Sequence, residues 1–262
     1  GELRVVLSPQ EEKFFARRPT QSVEAYDAYL KIGADRYSSS GEISSGALNK
    51  ILDWAKQAVA LDPSFAEGWA ELARAHSSFF QFELDQTPAR VAAATAAIDT
   101  ARRLAPDAPE VILAYGEIRY RLHRDYAGAI EALERVIRLQ SGQPEVYNTL
   151  AVVLRRQGKW REAMAMSRKV VELDPKYVLG WLDLRNGAMY VRRFDEALAA
   201  DRRMIELEPT VSNRGWTAGD VWRAGRSADE FIAWRASLTP VEAQSELFVL
   251  SWGATLLGEQ DE

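Results

Sequence analysis

Residues 144–175 read PEVYNTLAVVLRRQGKWREAMAMSRKVVELDP, and residues 176–209 read KYVLGWLDLRNGAMYVRRFDEALAADRRMIELEP. Residues of the same type or character recur between the two segments at an interval of 34 positions. The recurring pairs are Tyr147 and Trp181, Leu150 and Leu184, Trp160 and Phe194, Ala163 and Ala197, and Pro175 and Pro209. A fixed interval of this length predicts a structure built from repeated units.

Looser copies of the same pattern lie upstream. Ala58 and Pro63 end one unit, and Trp69 opens the next, which closes at Pro106 and is longer than 34 residues. The order of an aromatic residue, a leucine, a small residue, later alanines and a final proline resembles the tetratricopeptide repeat over about residues 47–210. The resemblance implies pairs of antiparallel helices that stack into a right-handed superhelix.

Side-chain size explains the repeated positions. Small residues let the two helices of a pair approach closely, and they are Ala73, Gly116 and Ala151 in first helices and Ala94, Ala129, Ala163 and Ala197 in second helices. Proline cannot donate the helical hydrogen bond and ends the second helix, at Pro63, Pro106, Pro175 and Pro209. Arg185 departs from the pattern because it stands where a small residue is expected, which predicts a local displacement of its helix.

Helix signals dominate the remainder of the chain. Capping boxes begin at Ser8, Ser227 and Thr239, and Thr87-Pro88 is a further helix start. The predicted fold is all-α, an α-solenoid of stacked antiparallel helix pairs with capping helices at both termini. We expect capping helices over 1–46, the repeats over 47–210, and a degenerate repeat with capping helices over 211–262, all in one continuous solenoid. An insertion at 79–87 predicts a lengthened first helix.

Composition limits the function classes. The 262 residues carry a formal charge of −5, which argues against a dedicated nucleic-acid binder. The chain contains no cysteine and two histidines, which excludes thiolate catalysis and cysteine or histidine-rich metal sites. No apolar run approaches the length of a membrane span. We predict no cofactor and no metal.

Known catalytic motifs are not reproduced. His123-Arg124-Asp125 resembles a kinase catalytic-loop tripeptide, but Ile130 stands where the metal-binding asparagine belongs, so this segment is predicted to be the turn between two helices. His76 is predicted to be a packed core residue. The polar run 38–46 lacks the preceding strand and the following Lys-Ser/Thr of a phosphate loop and is predicted to be a linker. We therefore predict a protein that is not an enzyme.

The resemblance places a ligand on the concave wall, which is lined by the first helix of each pair. The candidate residues are Arg74, Ser77, Tyr120, Arg121, Asn148, Val152, Arg155, Arg156, Leu182, Asn186, Met189 and Tyr190. Arginine outnumbers Glu117 on this wall, so an acidic peptide or an amphiphile with an anionic or hydroxyl head is a candidate ligand; the alternative is that these arginines are only solvated. The two-Asn, two-Lys clamp of chaperone-binding relatives is not reproduced, so no chaperone adaptor is predicted.

Aromatic residues form a second candidate site. A possible apolar patch comprises Phe79, Phe80, Phe82, Trp216 and Trp222, near the end of the lengthened helix and in the C-terminal segment. The same residues, together with Trp234, Trp252, Phe231 and Phe248, could instead form the core of a cap that closes the solenoid. As an exposed or cavity-lining patch, they would bind a hydrophobic ligand or a partner helix.

Residues 7–30 carry a second resemblance, through Leu7-Ser-Pro-Gln-Glu-Glu, Arg17-Arg-Pro-Thr20 and Glu24-Ala-Tyr-Asp-Ala-Tyr-Leu30. They look like the entry into the helical repeats of bacterial class III nucleotide cyclases and winged-helix regulators, which implies a bacterial origin. Gly1 suggests a fragment or a mature chain lacking its N-terminus, so the compartment, bacterial cytoplasm or periplasm, is left open.

Three functions follow as hypotheses. The first is a non-catalytic scaffold that binds a partner protein or peptide through the concave groove or the aromatic C-terminal end. The second is a carrier that holds a lipid-like small molecule in an apolar cavity of the superhelix. The third is a sensory or regulatory module of a larger signalling protein. All three exclude nucleic acid as a partner and a membrane-spanning segment.

Overall fold

Helices account for nearly all of the chain that the computed structural model describes, which is residues 19–36, 45–209, 215, 217, 219, 220 and 229–245. The helices are α1 (Val23–Arg36), α2 (Ser45–Leu61), α3 (Ala66–Gln81), α4 (Pro88–Leu104), α5 (Pro109–His123), α6 (Tyr126–Leu139), α7 (Pro144–Arg156), α8 (Trp160–Leu173), α9 (Val178–Tyr190), α10 (Phe194–Leu207), α11 (Asp229–Ser237) and α12 (Pro240–Ser245). None of the residues just given lies in a strand. The predicted all-α class is confirmed.

Consecutive helices pack in pairs. The pairs α1–α2, α3–α4, α5–α6 and α9–α10 make extensive contacts within each pair, and α3 also packs on α5. The turns inside the pairs are short, such as 124–125 between α5 and α6 and 191–193 between α9 and α10. Short connections between packed helices give antiparallel hairpins.

Sequence signals for helix ends are confirmed wherever the structure describes them. The helices α2, α4, α8 and α10 each end two residues before a proline, at Leu61, Leu104, Leu173 and Leu207. Thr87 caps α4 by accepting a hydrogen bond from the backbone N–H of Arg90 at 3.3 Å. At α12 the capping box is complete, because the Thr239 N–H donates to Glu242 and the Glu242 N–H donates back to Thr239. The boxes at Ser8 and Ser227 lie outside the described residues.

Close helix contacts explain the regular interval of small residues within this chain. Ala73, Ala94, Ala129, Ala163 and Ala197 are each at most 4% exposed. A Cβ atom on Gly116 would lie 3.2 Å from the Cβ of Ala132, so α5 and α6 approach each other at the limit that a hydrogen at this position allows. The predicted role of the small residues is confirmed.

Aromatic residues link the start of a first helix to the end of the preceding second helix. The indole N–H of Trp69 donates to the Pro63 carbonyl at 2.9 Å, and that of Trp181 donates to the Pro175 carbonyl at 3.0 Å. The proline that ends one helix thus supplies the acceptor that orients the next. Repetition of the same bond in two distant repeats shows that the sequence period encodes a repeated contact.

Contact density divides the chain into a first unit, Gly1–Val146, and a second unit, Tyr147–Glu262. The core of the first unit runs from Ile32 through the helix interfaces to Ile118. The second unit contains a cluster of Met164, Leu184, Ala188 and Ala197. The predicted division into 1–46, 47–210 and 211–262 stays a prediction.

The predicted lengthening of one first helix has a structural counterpart, whereas the local displacement expected at Arg185 stays a prediction. The lengthened first helix is α3, with 16 residues, and it ends at Gln81 inside the predicted insertion. The helix α9 is continuous through Arg185, whose side chain is buried in an ion pair.

None of the described helices is both long and apolar enough to cross a lipid bilayer.

Candidate functional site

Predicted wall residues of the first unit are largely covered by neighbouring side chains. Arg74 and Ser77 on α3 are 6% and 0% exposed, and Tyr120 on α5 is 9% exposed. The Arg121 side chain is 16% exposed and lies 3.2 Å from the Ser77 hydroxyl. Arg74, Ser77 and Arg121 lie together in a buried polar layer and not on an exposed wall, whereas the Tyr120 ring lies 6.1 Å from that of Tyr126.

A buried guanidinium organises this layer. The Arg74 Nη1 atom lies 2.8 Å from Glu71 Oε1, and Nε lies 2.7 Å from Glu117 Oε2. Arg74 also pairs with Glu145. Burial lowers the pKa of Arg74, but Glu117, Glu145 and Glu71 outweigh burial and hold that pKa above its usual value. Arg74 is therefore a structural cation that joins α3, α5 and the start of α7.

Acidic residues of this layer were missed by the sequence analysis. Glu67, Glu110 and Glu145 each occupy the second position of a first helix, and that regular placement was a signal in the sequence. Tyr29 of α1 lies near Glu71 and Glu110, and its pKa is raised by burial first and then by these carboxylates. The expected excess of arginine on the wall is wrong for the first unit, because three carboxylates, those of Glu71, Glu117 and Glu145, pair with Arg74 and Arg121.

Predicted wall residues of the second unit are more open. Arg156 and Tyr190 are exposed. The Arg155 Nη1 atom lies 2.7 Å from Asp183 Oδ1, which ties α7 to α9. Five further residues on these two helices are half-buried, and we call them the second-unit wall: Asn148, Val152, Leu182, Asn186 and Met189.

Two amides give the second-unit wall its polar character. The Asn148 Oδ1 atom is buried and accepts no hydrogen bond from any residue that the structure describes. The Asn186 Oδ1 atom accepts a hydrogen bond from Arg185 Nη1 at 2.9 Å. An amide side chain carries both N–H donors and an oxygen acceptor, which match the acceptors and donors of an extended peptide backbone.

A second buried cation lies behind α9. The Arg185 Nε atom is 3.3 Å from Asp201 Oδ1 on α10 and 2.6 Å from Asp220 Oδ2, and all three residues are at most 5% exposed. Burial raises the pKa of Asp201 to about 7; Arg185 opposes this rise and Asp220 adds to it. The arginine that breaks the small-residue pattern is thus accommodated by two buried acids.

Only three residues of the predicted apolar patch, Phe79, Phe80 and Phe82, lie among the described residues. Phe79 is 5% exposed, belongs to the core and lies with its ring centroid 4.3 Å from the guanidinium of Arg90, so its inclusion in an exposed patch is wrong. Phe80 is half-buried and Phe82 is 38% exposed. Trp216 and Trp222 lie outside the described residues, as do Phe248 and Trp252.

Aromatic residues of α11 favour the alternative of a cap core for this segment. Phe231 and Trp234 are 0% and 7% exposed, and their ring centroids lie 5.4 Å apart. A Cβ on Gly215 would overlap the indole of Trp234, so the backbone at residue 215 lies directly against that ring. These contacts bury the two aromatic rings inside the protein.

Histidine and carboxylate groups form no metal-binding cluster within the described ranges. His76 is half-buried, and its Nδ1 atom lies 2.9 Å from Arg90 Nη1. Burial, and then Arg90, lower the pKa of His76 to about 4, so the ring is neutral near pH 7. In the segment His123-Arg124-Asp125, His123 is the last residue of α5, and Arg124 and Asp125 form the turn to α6. No group of three or more histidine or acidic side chains suited to a metal ion occurs among the described residues.

An open recess of about 330 Å³ lies at the N-terminal end of α1. Its lining is chiefly polar and comprises Pro19, Thr20, Gln21, Ser22, Leu61, Asp62 and Ser64. The Thr20 hydroxyl donates to Asp62 at 2.5 Å and the Ser64 hydroxyl donates to Asp62 at 2.6 Å, so these groups satisfy one another. The recess lacks the predominantly apolar lining that a lipid would need.

Comparison with known proteins agrees with the paired helices. Residues 120–186 match the family model described as tetratricopeptide repeat. Over 87 residues, or 33% of this chain, the sequence is 25% identical to small glutamine-rich tetratricopeptide repeat-containing protein 2 of Mycosarcoma maydis. The chain spans about a quarter of the length of that curated relative. The comparisons give no support to the resemblance of residues 7–30 to cyclases and winged-helix regulators, and they do not show a bacterial origin.

Solved structures show the same architecture. TTC0263, a thermophilic TPR protein of Thermus thermophilus, aligns with a TM-score of 0.59 and 19% identity over 76% of this chain and 99% of that chain. PilW, a widely conserved type IV pilus biogenesis factor, aligns with a TM-score of 0.57 and 13% identity over 84% of this chain and 98% of that chain. PilF of Pseudomonas aeruginosa aligns with a TM-score of 0.54 and 20% identity over 85% of this chain and 96% of that chain. At these identities the likeness concerns the fold alone, which is a helical solenoid of paired helices.

Proposed function

We propose that this protein is a non-catalytic interaction scaffold that binds an extended segment of a partner protein along the second-unit wall. A tetratricopeptide fold suggests a protein-interaction scaffold. The observation that carries the location is the pairing of two amides, Asn148 and Asn186, with half-buried apolar side chains on neighbouring helices. Amides bind a peptide backbone, and the apolar residues contact its side chains.

Rigidity supports peptide binding at this wall. The Arg155–Asp183 ion pair holds α7 against α9, and burial raises the pKa of Asp183 while Arg155 lowers it. Helices fixed in this way lose little conformational entropy when a partner binds. The first unit offers fewer accessible groups to a partner, because its predicted wall residues are buried and Arg74 is already paired with carboxylates of the same unit. We therefore place the partner on the second unit.

A random-peptide phage library, selected on the purified full chain, tests the proposal. Selected peptides would then be measured by calorimetry against the variant Asn148→Ala with Asn186→Ala. We expect the two substitutions together to weaken binding by about tenfold or more, because each removes a hydrogen bond worth about 1 kcal/mol. The matched control is Gln57→Ala with Gln244→Ala, which removes two exposed amides from α2 and α12.

Three results would contradict the proposal. One is a library that yields no peptide with measurable affinity. Another is equal affinity of the selected peptides for the wall variant and for the control. A third is a bound lipid detected by native mass spectrometry together with failure of the selection, which would favour the alternative of a carrier for a lipid-like molecule. Circular dichroism of each variant checks that helicity is unchanged.

A further inference from the structure

Ring stacking brings two turns of the second unit side by side. Trp160 is the first residue of α8 and Tyr190 is the last residue of α9. Their ring centroids lie 4.3 Å apart with an angle of 25° between the planes. Tyr190 is nevertheless 69% exposed, so the stack presents an aromatic face to solvent. The turn 157–159 and the turn 191–193 therefore form one surface.

Basic residues surround the stacked rings. Residues 155–162 and 190–196 together hold six basic and three acidic side chains, in a chain whose formal charge is −5. Lys159, Arg161 and Arg192 are exposed. Arg193 is also exposed and lies 3.0 Å from Glu196, which Arg168 holds from the other side at 2.7 Å. Positive charge is thus concentrated locally on an otherwise acidic protein.

Backbone conformation fixes one of these cations in place. Arg192 has a φ of 60°, and Gly158, located 34 residues earlier at the equivalent turn position, has a φ of 74°. Glycine is the residue best suited to this left-handed conformation. The chain instead carries an arginine at the second turn, with its guanidinium 5.5 Å from the ring centroid of Phe194.

The corresponding turn after α3 has the opposite charge. Residues 82–86 contain Glu83, which has a φ of 59°, and Asp85, which pairs with Arg90 at 2.8 Å. Phe82 and Leu84 are exposed there without a basic neighbour in the same turn. The turn after α5 carries Arg124, with a φ of 52°, but the neighbouring Tyr120 is only 9% exposed. Neither of these two turns of the first unit therefore combines an exposed ring stack with several cations.

We propose that the turn surface, defined as Arg156, Lys159, Trp160, Arg161, Tyr190 and Arg192, binds an acidic segment of a partner protein. The cations bind carboxylates, and the ring pair packs against an apolar side chain between them. Glu162, Asp195 and Glu196 are interspersed with the cations, and they would repel the uniform charge of a nucleic acid more than a peptide of mixed composition. The inference rests on the proposed function in that the partner is a protein.

Fluorescence anisotropy of the full chain with synthetic peptides tests this proposal. The probe is a short labelled peptide in which Asp and Glu alternate with Leu and Pro, and its counterpart carries Asn and Gln in place of the acids. We expect the acidic probe to bind about tenfold more tightly than the amide counterpart, and salt to weaken its binding. Oligothymidylate and phosphatidylserine vesicles are measured beside the peptides.

Two variants separate the cations from the rings. The variant Lys159→Glu with Arg161→Glu should bind the acidic probe about tenfold or more weakly, because the two substitutions reverse the local charge. Tyr190→Ala should reduce the affinity for the acidic and the amide peptide by the same factor, because the ring pair packs against an apolar side chain that both peptides contain. The matched control is Lys176→Glu with Arg202→Glu, which makes the same charge change in the second unit, at the turn 174–177 and on α10. It should change affinity by less than about twofold.

Each contrary outcome has a distinct meaning. Equal loss of affinity in the control and the charge variant overturns the inference, because only net charge then matters. Tighter binding of oligothymidylate or vesicles than of the acidic peptide overturns it in favour of a polyanion or a lipid surface. Loss of the acidic probe with Asn148→Ala and Asn186→Ala, but not with the charge variant, removes the turn surface and leaves the proposed function intact. If the phage selection fails but binding of the acidic probe depends on Lys159 and Arg161, the second-unit wall is removed as a site and the turn surface is kept.

Discussion

The Nε atom of Arg185 lies 2.6 Å from Oδ2 of Asp220, and both side chains are at most 6% exposed. This pair connects α9 with a residue that follows α10 by 13 positions. Asp201 lies against the same guanidinium, at 3.3 Å, so one buried cation faces two buried acids. An unbalanced negative charge in a buried cluster destabilises the folded state unless one of the acids retains a proton. The stability of the second unit should therefore depend on pH.

Asp201→Asn should remove part of this pH dependence. The pKa of Asp201 is about 7 in the folded protein and near 3.8 when the chain is unfolded, so the folded state retains a proton that the unfolded state has released. The free energy of unfolding should therefore fall as the pH rises from about 4 to about 7, and it should stay low above that range, by on the order of a few kcal/mol. Urea unfolding of both proteins at several pH values measures the effect.

His76 provides the reason for comparing two proteins at each pH. Its pKa is lowered to about 4, so it gives the opposite slope over an overlapping range: the free energy of unfolding rises with pH as the unfolded histidine loses its proton. Because both proteins contain His76, its effect cancels in the difference between them. A difference between Asp201→Asn and the wild type that is constant from pH 4 to pH 8 would refute the assignment to Asp201.

Arg74→Met should destabilise the first unit strongly. The substitution keeps much of the side-chain volume but leaves the buried Glu71 and Glu117 without their shared cation, which typically costs about 3–5 kcal/mol. Adding Glu71→Gln should recover part of the loss, because it removes one of the charges left beside the lost cation, whereas Glu117 keeps Arg121 at 3.2 Å. Urea unfolding measures both, with Arg103→Met on the exposed face of α4 as the control. A loss similar to that of the control would mean that the cluster is not a structural centre.

Arg192→Gly should stabilise the second unit. Arginine in the left-handed conformation, with a φ of 60°, costs about 1 kcal/mol relative to glycine, and the lost contact with Phe194 offsets only part of this gain. Gly158→Ala should have the opposite effect, of about 1 kcal/mol, at the equivalent position of the preceding pair. Thermal unfolding followed by circular dichroism compares the two variants. A destabilised Arg192→Gly protein would show that the side chain makes a larger contribution than its backbone strain.

Gly180→Ala and Gly33→Ala should act in opposite directions although both lie within helices. A Cβ on Gly180 would overlap Cγ1 of Val170, a buried β-branched residue, so we expect a loss of about 1–3 kcal/mol. Nothing lies within 4 Å of the corresponding position on Gly33, where the higher helix propensity of alanine should give a gain of about 0.5–1 kcal/mol. Equal effects in urea unfolding would mean that α8 and α9 pack less closely than described.

Local signals explain how much of the fold could be predicted. The ends of α2, α4, α8 and α10 follow from proline, and the cap of α12 follows from Thr239 and Glu242, which are three residues apart. The 34-residue interval identified the helix pairs because small residues such as Ala163 and Ala197 are required at every close contact. These features depend on residues that are near each other in sequence or repeat regularly along it.

The candidate site could be predicted only in part. The resemblance gave the residues of the first helices, but it could not distinguish the buried Arg74 from the exposed Arg156. Arg74 is buried because Glu117 and Glu145, which lie 43 and 71 residues away, converge on it. The turn surface was missed for a similar reason, since its defining contact joins Trp160 to Tyr190 across two helix pairs.

The sequence by itself determined that this chain folds into paired helices, where those helices end, and which residues lie on the first helix of each pair. Backbone hydrogen bonding, capping and side-chain size act over a few residues, so the order of amino acids is sufficient to encode them. Only the tertiary structure decided which charges are exposed and which are neutralised. Exposure and ion pairing depend on side chains brought together from distant parts of the chain, as at Arg185 with Asp201 and Asp220.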